Sequence, residues 1–286
     1  MLHVECDFAR LLYSEKFMKK LVHALVLTGL VGAPTFAMAE EPASPHTLTA
    51  NVSLTSDYVF RGVSQTQGGP AIQGGFDYSH SSGFYVGTWA SNVSWVSTKN
   101  TSTGEGWFKD NNSMEIDLYG GYKGSLPADI GYDVGVITYY YPGDQISSAL
   151  GATDPDTTEV YLGASWKFLS AKYSHVVSER FVGWAGPNGE KTRNSNYIEL
   201  NANYDLGGGW GILGHVGHQK VENFDDASYT DYKVGVSKDV GFGVVTLAYT
   251  DTDADTSVYT WTTSAAGNNA EKVADGRVFV SFSKSF

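Results

Sequence analysis

The residues with the most chemical potential in this 286-residue chain are carboxylates and cations that recur at every second position of apolar-alternating segments. In the run from Leu48 to Arg61, Leu48, Ala50, Val52, Leu54, Tyr58 and Phe60 share one parity, while Asn51, Ser53, Asp57 and Arg61 share the other. The same split sets Met114, Ile116, Leu118 and Tyr122 against Glu115, Asp117 and Lys123, and sets Val160, Leu162 and Trp166 against Glu159 and Lys167. A strand sends successive side chains to opposite faces, so these patterns predict sheets with one greasy and one charged side. The charged side gathers Asp57, Asp77, Glu115, Asp117, Asp133, Glu159, Glu199, Asp205 and Asp231 with Arg61, Lys123, Lys167, Lys172, Lys233 and Arg277. Inside a closed sheet, such an excess of acids would line a water-filled path that leans toward cations. The competing outcome is that these charges pair across the interior and fill it. Asp57 and Arg61, four apart and on one face, are expected either to line the path or to pair with neighbouring strands.

Catalytic constellations are scarce. Five histidines follow residue 39. His80 and Ser82 share a face but sit beside a tight turn, His175 falls on the apolar parity, and His215 and His218 have opposite parity. No Gly-x-Ser-x-Gly, His-Glu-x-x-His or Cys/His zinc spacing occurs, so neither an enzyme nor a cofactor is expected. Asp154 with Asp156, Asp225 with Asp226, and Asp251, Asp253 and Asp255 offer oxygen ligands for a divalent cation, against the simpler reading of solvated acidic loops.

The elements that must position these charges come next. Twelve segments of about ten residues, rich in Val, Tyr, Phe, Trp and Thr, fall near 47–61, 70–80, 83–95, 113–123, 130–141, 157–168, 170–181, 195–205, 209–219, 229–238, 243–252 and 276–286. Each is long enough to cross a bilayer at a tilt. Connections alternate between short ones (81–82, 124–129, 169, 206–208, 239–242) and long ones rich in Gly, Asn, Asp, Ser and Thr, such as 96–112, 142–156, 182–194 and 253–275. That alternation predicts an all-β transmembrane antiparallel up-and-down barrel of twelve strands, with short periplasmic turns and long extracellular loops. The final segment places Val278, Val280, Phe282, Lys284 and Phe286 on every second residue and ends on an aromatic. Val280, Phe282 and Phe286 are therefore expected to form the signal read by the barrel-assembly machinery.

Export signals agree. Met18-Lys19-Lys20, the apolar stretch 21–36 and Ala37-Met38-Ala39 read as a signal peptide cut after Ala39, with a retained anchor as the competing reading. Residues 1–17 read as an extension from a start placed too early, and 40–286 as one barrel domain. The single cysteine, Cys6, lies in the part removed. Of 19 basic and 31 acidic residues, four and three fall in 1–39, leaving a net charge of −13 that argues against nucleic acid. The mean hydropathy of −0.21 hides the membrane signal, because only alternate residues would face lipid.

The runs 54–65, 69–74 and 83–92, followed by Glu115-Ile116-Asp117-Leu118-Tyr119-Gly120-Gly121-Tyr122 and Tyr139-Tyr140-Tyr141-Pro142-Gly143, resemble the TorF-family porins. The resemblance implies a porin-like barrel across the mature chain and carries over no substrate or catalytic residue. Function is expected to be passive passage of small polar solutes or ions, with outer-membrane lipid and lipopolysaccharide around the barrel. Surface adhesion through the long loops, or lipid-modifying catalysis, is the alternative.

Overall fold

The structure is a computed structural model, and it describes residues 44–98, 113–143, 153–262 and 269–286. The expected leader and signal peptide, residues 1–39, lie outside the described residues, as do parts of the loops at 96–112, 142–156 and 253–275.

Twelve antiparallel strands close into one barrel in sequence order. They are β1 (His46–Thr55), β2 (Ala71–His80), β3 (Phe84–Asn92), β4 (Met114–Leu126), β5 (Ile130–Tyr140), β6 (Thr157–Trp166), β7 (Leu169–Val176), β8 (Asn196–Gly207), β9 (Trp210–Lys220), β10 (Tyr229–Asp239), β11 (Val244–Thr252) and β12 (Arg277–Ser285). Closure comes from β12, whose Ser281–Ser285 pair with Thr55–Asn51 of β1. The ring has no free edge, so the strand-to-strand hydrogen bonds are satisfied within the sheet.

Parity decides which side each residue faces. Leu48, Leu54, Ile72, Phe76, Leu118, Val134, Leu162, Ile198, Val234, Leu247 and Val278 point outward and are exposed, so the outer wall is a continuous apolar belt. Their strand neighbours Ser53, Gln73, Glu115, Asp117, Asp133, Glu159, Asp231 and Thr250 point inward and are buried. A soluble barrel would invert this arrangement, because burying carboxylates while exposing leucines in water is doubly unfavourable. Rings gather at the short-turn end: Phe84 meets Tyr122 edge-on at 5.0 Å, Tyr122 lies 6.2 Å from Tyr132, and Phe168 meets Tyr204 at 5.5 Å. Such a row suits headgroup depth. Among the described residues no helix is long and apolar enough to cross a membrane.

Three expectations need correction. The first strand ends at Thr55 rather than near 61, because the chain then turns into the lumen. Tyr58 and Phe60 consequently lie inside the barrel rather than on its outer face. Lys167 sits not on the inner wall but in the tight turn after β6, exposed, with φ 55° and its ammonium 4.3 Å from the ring centre of outward-facing Trp166. The sequence pattern ran past the true strand end there, since a two-residue turn preserves apparent alternation.

Candidate functional site

The segment between β1 and β2 folds into the lumen from the long-loop end. Asp57 anchors its root: its carboxylate accepts hydrogen bonds from Ser64 Oγ at 2.6 Å, Thr66 Oγ1 at 3.0 Å and Arg277 Nη1 at 3.0 Å. Val59–Phe60 then pair with Val63–Ser64, leaving Arg61 and Gly62 as a two-residue tip with φ of 47° and 79°. Positive φ at both central residues is the hairpin turn whose twist matches its strands, and it favours glycine at the second position. Here glycine is also demanded by space. A Cβ on Gly62 would stand 2.5 Å from Thr252 Cγ2 and 2.6 Å from Asp231 Cβ, so the tip is pressed against β10 and β11.

Arg61 therefore does not close a strand or pair with a neighbouring one. Its guanidinium crosses to β6, where Nη1 and Nη2 donate to Glu159 Oε1 at 2.9 Å and Oε2 at 2.7 Å, and Nη1 also donates to Gln219 Oε1 of β9 at 2.8 Å. The guanidinium carbon lies 4.3 Å from the ring centre of Tyr197, 4.7 Å from Phe60 and 5.7 Å from Phe181. Only 6 % of the Arg61 side chain and 1 % of that of Glu159 is exposed. A buried pair of this kind persists only when both partners are further satisfied, and the fork geometry, the amide and the ring faces do that.

Around this latch the inward charges separate into two groups. On the later strands several acids meet a basic partner: Lys172 lies 3.2 Å from Glu199 and His215 Nε2 lies 2.9 Å from Asp231, while Tyr197 Oη donates to Asp231 at 2.8 Å. The acids of β4 and β5 do not. Glu115 accepts from the hydroxyls of Tyr58, at 2.6 Å, and Tyr141, and Asp133 accepts from Tyr85 Oη at 2.6 Å. Asp117 Oδ1, Asp133 Oδ2 and the Nε1 of Trp89, which faces Asp117 across the β3–β4 pairing, have no hydrogen-bond partner among the described residues. Of the seven residues expected to line the lumen, Asp57, Arg61, Glu115, Asp117, Asp133 and Glu159 are brought inside, though Asp57 and Arg61 arrive on the hairpin; Lys167 is outside.

Sequence parity missed the inward tyrosines. Tyr85, Tyr119, Tyr139, Tyr161 and Tyr197 are all buried inside the barrel, yet aromatic residues on a barrel strand read first as lipid-facing. The usable signal is inward-parity glycine: an added Cβ at Gly121 would stand 2.6 Å from Tyr85 Oη, and one at Gly135 would stand 2.5 Å from Tyr161 Oη. On the hairpin Phe60 packs on Tyr139 at 5.5 Å, and around it Trp95 packs on Tyr141 at 4.9 Å and Trp184 on Phe224 at 5.5 Å and Tyr259 at 5.8 Å. Burial pushes the loop phenol of Tyr259 above its ordinary pKa, and its hydroxyl donates to the Ala227 carbonyl oxygen at 2.6 Å. An open cleft of about 710 Å³, lined among others by Ser56, Asp57, Glu271, Lys272 and Arg277, flanks the hairpin root.

The expected alternatives can be placed too. His215 meets Tyr197, Asp231 and Asn201, while His218 meets Thr230 on the outside. His80 Nδ1 lies 2.7 Å from Ser82 Oγ at an exposed turn. Asp253 accepts from the backbone N–H of Thr230 on β10, and Asp255 from that of Ser257 in its own turn, so both loop acids are engaged by backbone groups. Among the described residues no group of three or more His, Cys, Asp or Glu side chains is placed to hold a metal ion.

A family model described as a bacterial protein of unknown function, Gcw_chp, matches residues 39–286. The chain belongs to this family. No curated protein matches the Gcw_chp chain by sequence. Among solved structures it is similar to the KdgM porin (8 % identity, 83 % of this chain and 98 % of that one, TM-score 0.47) and the NanC porin (11 %, 84 % and 99 %, 0.47). It is also similar to an outer-membrane channel from Pseudomonas putida F1 (12 %, 87 % and 100 %, 0.44).

Proposed function

We propose that the mature chain, residues 40–286, is a porin-like passive channel of the outer membrane for small hydrophilic solutes or ions, with a lean toward cations, whose resting state is closed by the inner hairpin. The single observation that carries this reading is the division of the ring: a continuous apolar belt outside and ionisable side chains inside. A bilayer-spanning sheet needs the first, and a hydrophilic path needs the second. The resemblance to TorF-family porins points the same way. Residues 18–39 serve as the cleaved export signal, residues 1–17 precede it, and the outward aromatic end at Phe286 serves assembly in a membrane of lipid and lipopolysaccharide.

The lean toward cations follows from the inner wall, where Glu115, Asp117 and Asp133 have no cationic partner within ion-pair distance among the described residues. Rings of carboxylates lower the barrier for positive ions. A second reading has its own observation: the buried Arg61–Glu159 pair and the aromatic packing around it suit a barrel that never conducts and works through its surface loops. Conductance of the refolded mature chain in a planar bilayer under a salt gradient separates the two. Discrete steps with a cation-leaning reversal potential are expected. A folded barrel that stays silent even after Arg61→Ala would move the function to the loops.

A further inference from the structure

Arg61 is held as a bound ligand is held. Glu159 of β6 offers both carboxylate oxygens, Gln219 of β9 an amide oxygen, and Tyr197 of β8 a ring face, with Phe181 from the loop after β7 closing one side. Apart from Phe60, every group that touches the guanidinium belongs to the barrel wall or another loop rather than to the hairpin that carries it. The set is chemically selective. A planar, weakly hydrated cation gains from fork pairing and ring stacking together, whereas a compact ammonium or alkali ion cannot make the fork and meets the ring face only as a strongly hydrated point charge. Its delivery has a conformational cost: Arg61 occupies the left-handed region, which residues with a Cβ rarely adopt. The wall also carries acids that the hairpin's cation does not reach, since Asp117 Oδ1 has no partner among the described residues and Glu115 is met by tyrosine hydroxyls.

We propose that Glu159, Gln219 and Tyr197 form a recognition site for small guanidinium-bearing cations, and that Arg61 is a tethered occupant holding that site while the hairpin is seated. The proposal rests on the channel reading and names the solute class at its narrowest level. Seating the hairpin and binding a free guanidinium compound exclude each other, because both need the same two carboxylate oxygens. An empty site is the disfavoured state, since it leaves Glu159 buried without a counter-charge. A guanidinium solute therefore competes with the hairpin, and the cation that is recognised also opens its own path.

The test is replacement of the tether by the free ion. The mature chain carrying Arg61→Ala is refolded and titrated with millimolar methylguanidinium chloride, and separately with potassium chloride at matched ionic strength. Two readouts are followed: the thermal midpoint of heat-modifiable gel mobility, and ion current. The expected result is saturable stabilisation, and reduction of the Arg61→Ala current, by methylguanidinium at a concentration about tenfold below any potassium effect, the ratio that ~1.4 kcal/mol supplies. Both effects should vanish in Arg61→Ala/Glu159→Gln. Equal responses to the two ions, or an undiminished response in the double variant, would overturn the site. If Arg61→Ala does not refold, Arg61→Gln takes its place, and unsubstituted protein should pass more current in methylguanidinium than in potassium; equal currents would overturn the proposal. A silent barrel that is still stabilised by methylguanidinium would sink the channel and keep the site, whereas a conducting barrel blind to methylguanidinium would do the reverse.

Discussion

Leu118→Arg gives the sharpest test of how the barrel sits in a bilayer. Leu118 is 56 % exposed on the outer wall of β4, paired with Thr88 and Thr138, and the next residue toward the N-terminus, Asp117, points into the lumen. Four residues further along β4, Tyr122 joins Phe84 and Tyr132 in the aromatic row at the short-turn end. At about 3.4 Å per residue and a tilt near 40°, Leu118 lies roughly 10 Å above that row. The apolar band of such barrels is ~25 Å tall, so Leu118 falls close to mid-depth. An arginine there is expected to cost ~2–4 kcal/mol, whereas Leu126→Arg, four residues beyond the row on the same strand and equally exposed, is expected to cost ~0–1 kcal/mol. Urea unfolding of the refolded mature chain in phosphatidylcholine vesicles, followed by tryptophan fluorescence, measures both. Equal costs would refute the membrane frame, and a larger cost at Leu126 would mean that the belt is centred elsewhere.

Other outcomes follow from the hairpin and the seam. Gly62→Ala places a Cβ against Thr252 and Asp231 in a left-handed turn, so the tip should unseat and single-channel current should rise although Arg61 and Glu159 are untouched. Arg277→Ala removes the cation from Asp57, which keeps only Ser64 and Thr66; a loss of about 3–5 kcal/mol in urea unfolding is expected, and a loss under 1 kcal/mol would mean that the root is already solvated. Deleting Phe286 removes the mutual backbone hydrogen bonds with Ala50 and the terminal ring, so the amount of folded barrel recovered from outer membranes should fall. Unchanged recovery would assign assembly to another segment.

The twelve-strand ring was legible because lipid outside and carboxylates inside impose a period of two that survives along every strand. The two segments set by sequence pattern at 157–168 and 170–181 ran past the true ends at Trp166 and Val176: Lys167 and Phe168 carry the alternation on through the turn, whereas 177–181 has no alternation and already belongs to the loop. The first segment overran in the same way, past Thr55, and so put Asp57 and Arg61 on one strand. Their proximity to other charges was legible, but their geometry was not: nothing local shows that Ser64 and Thr66 fold back onto Asp57, or that Arg61 reaches Glu159, 98 residues away. Inward tyrosines were hidden for a related reason, since aromatic character alone does not distinguish a headgroup girdle from a packed lumen. Only the facing glycines do.

The hairpin's partners are scattered along the chain in a way that bears on how the ring is completed. Arg61 reaches residues 98 and 158 positions away, and Asp57 meets Arg277 at a distance of 220 positions, on the last strand. Contacts of such sequence separation form late, after the intervening chain has been ordered. The segment made between the first two strands must therefore wait, its arginine unpaired, until β6, β9 and β12 have all joined the sheet. A seated hairpin is thus a mark of an unbroken circle: a barrel stalled short of its last strand has no Arg277 to fix the root, and so nothing to hold the latch in place.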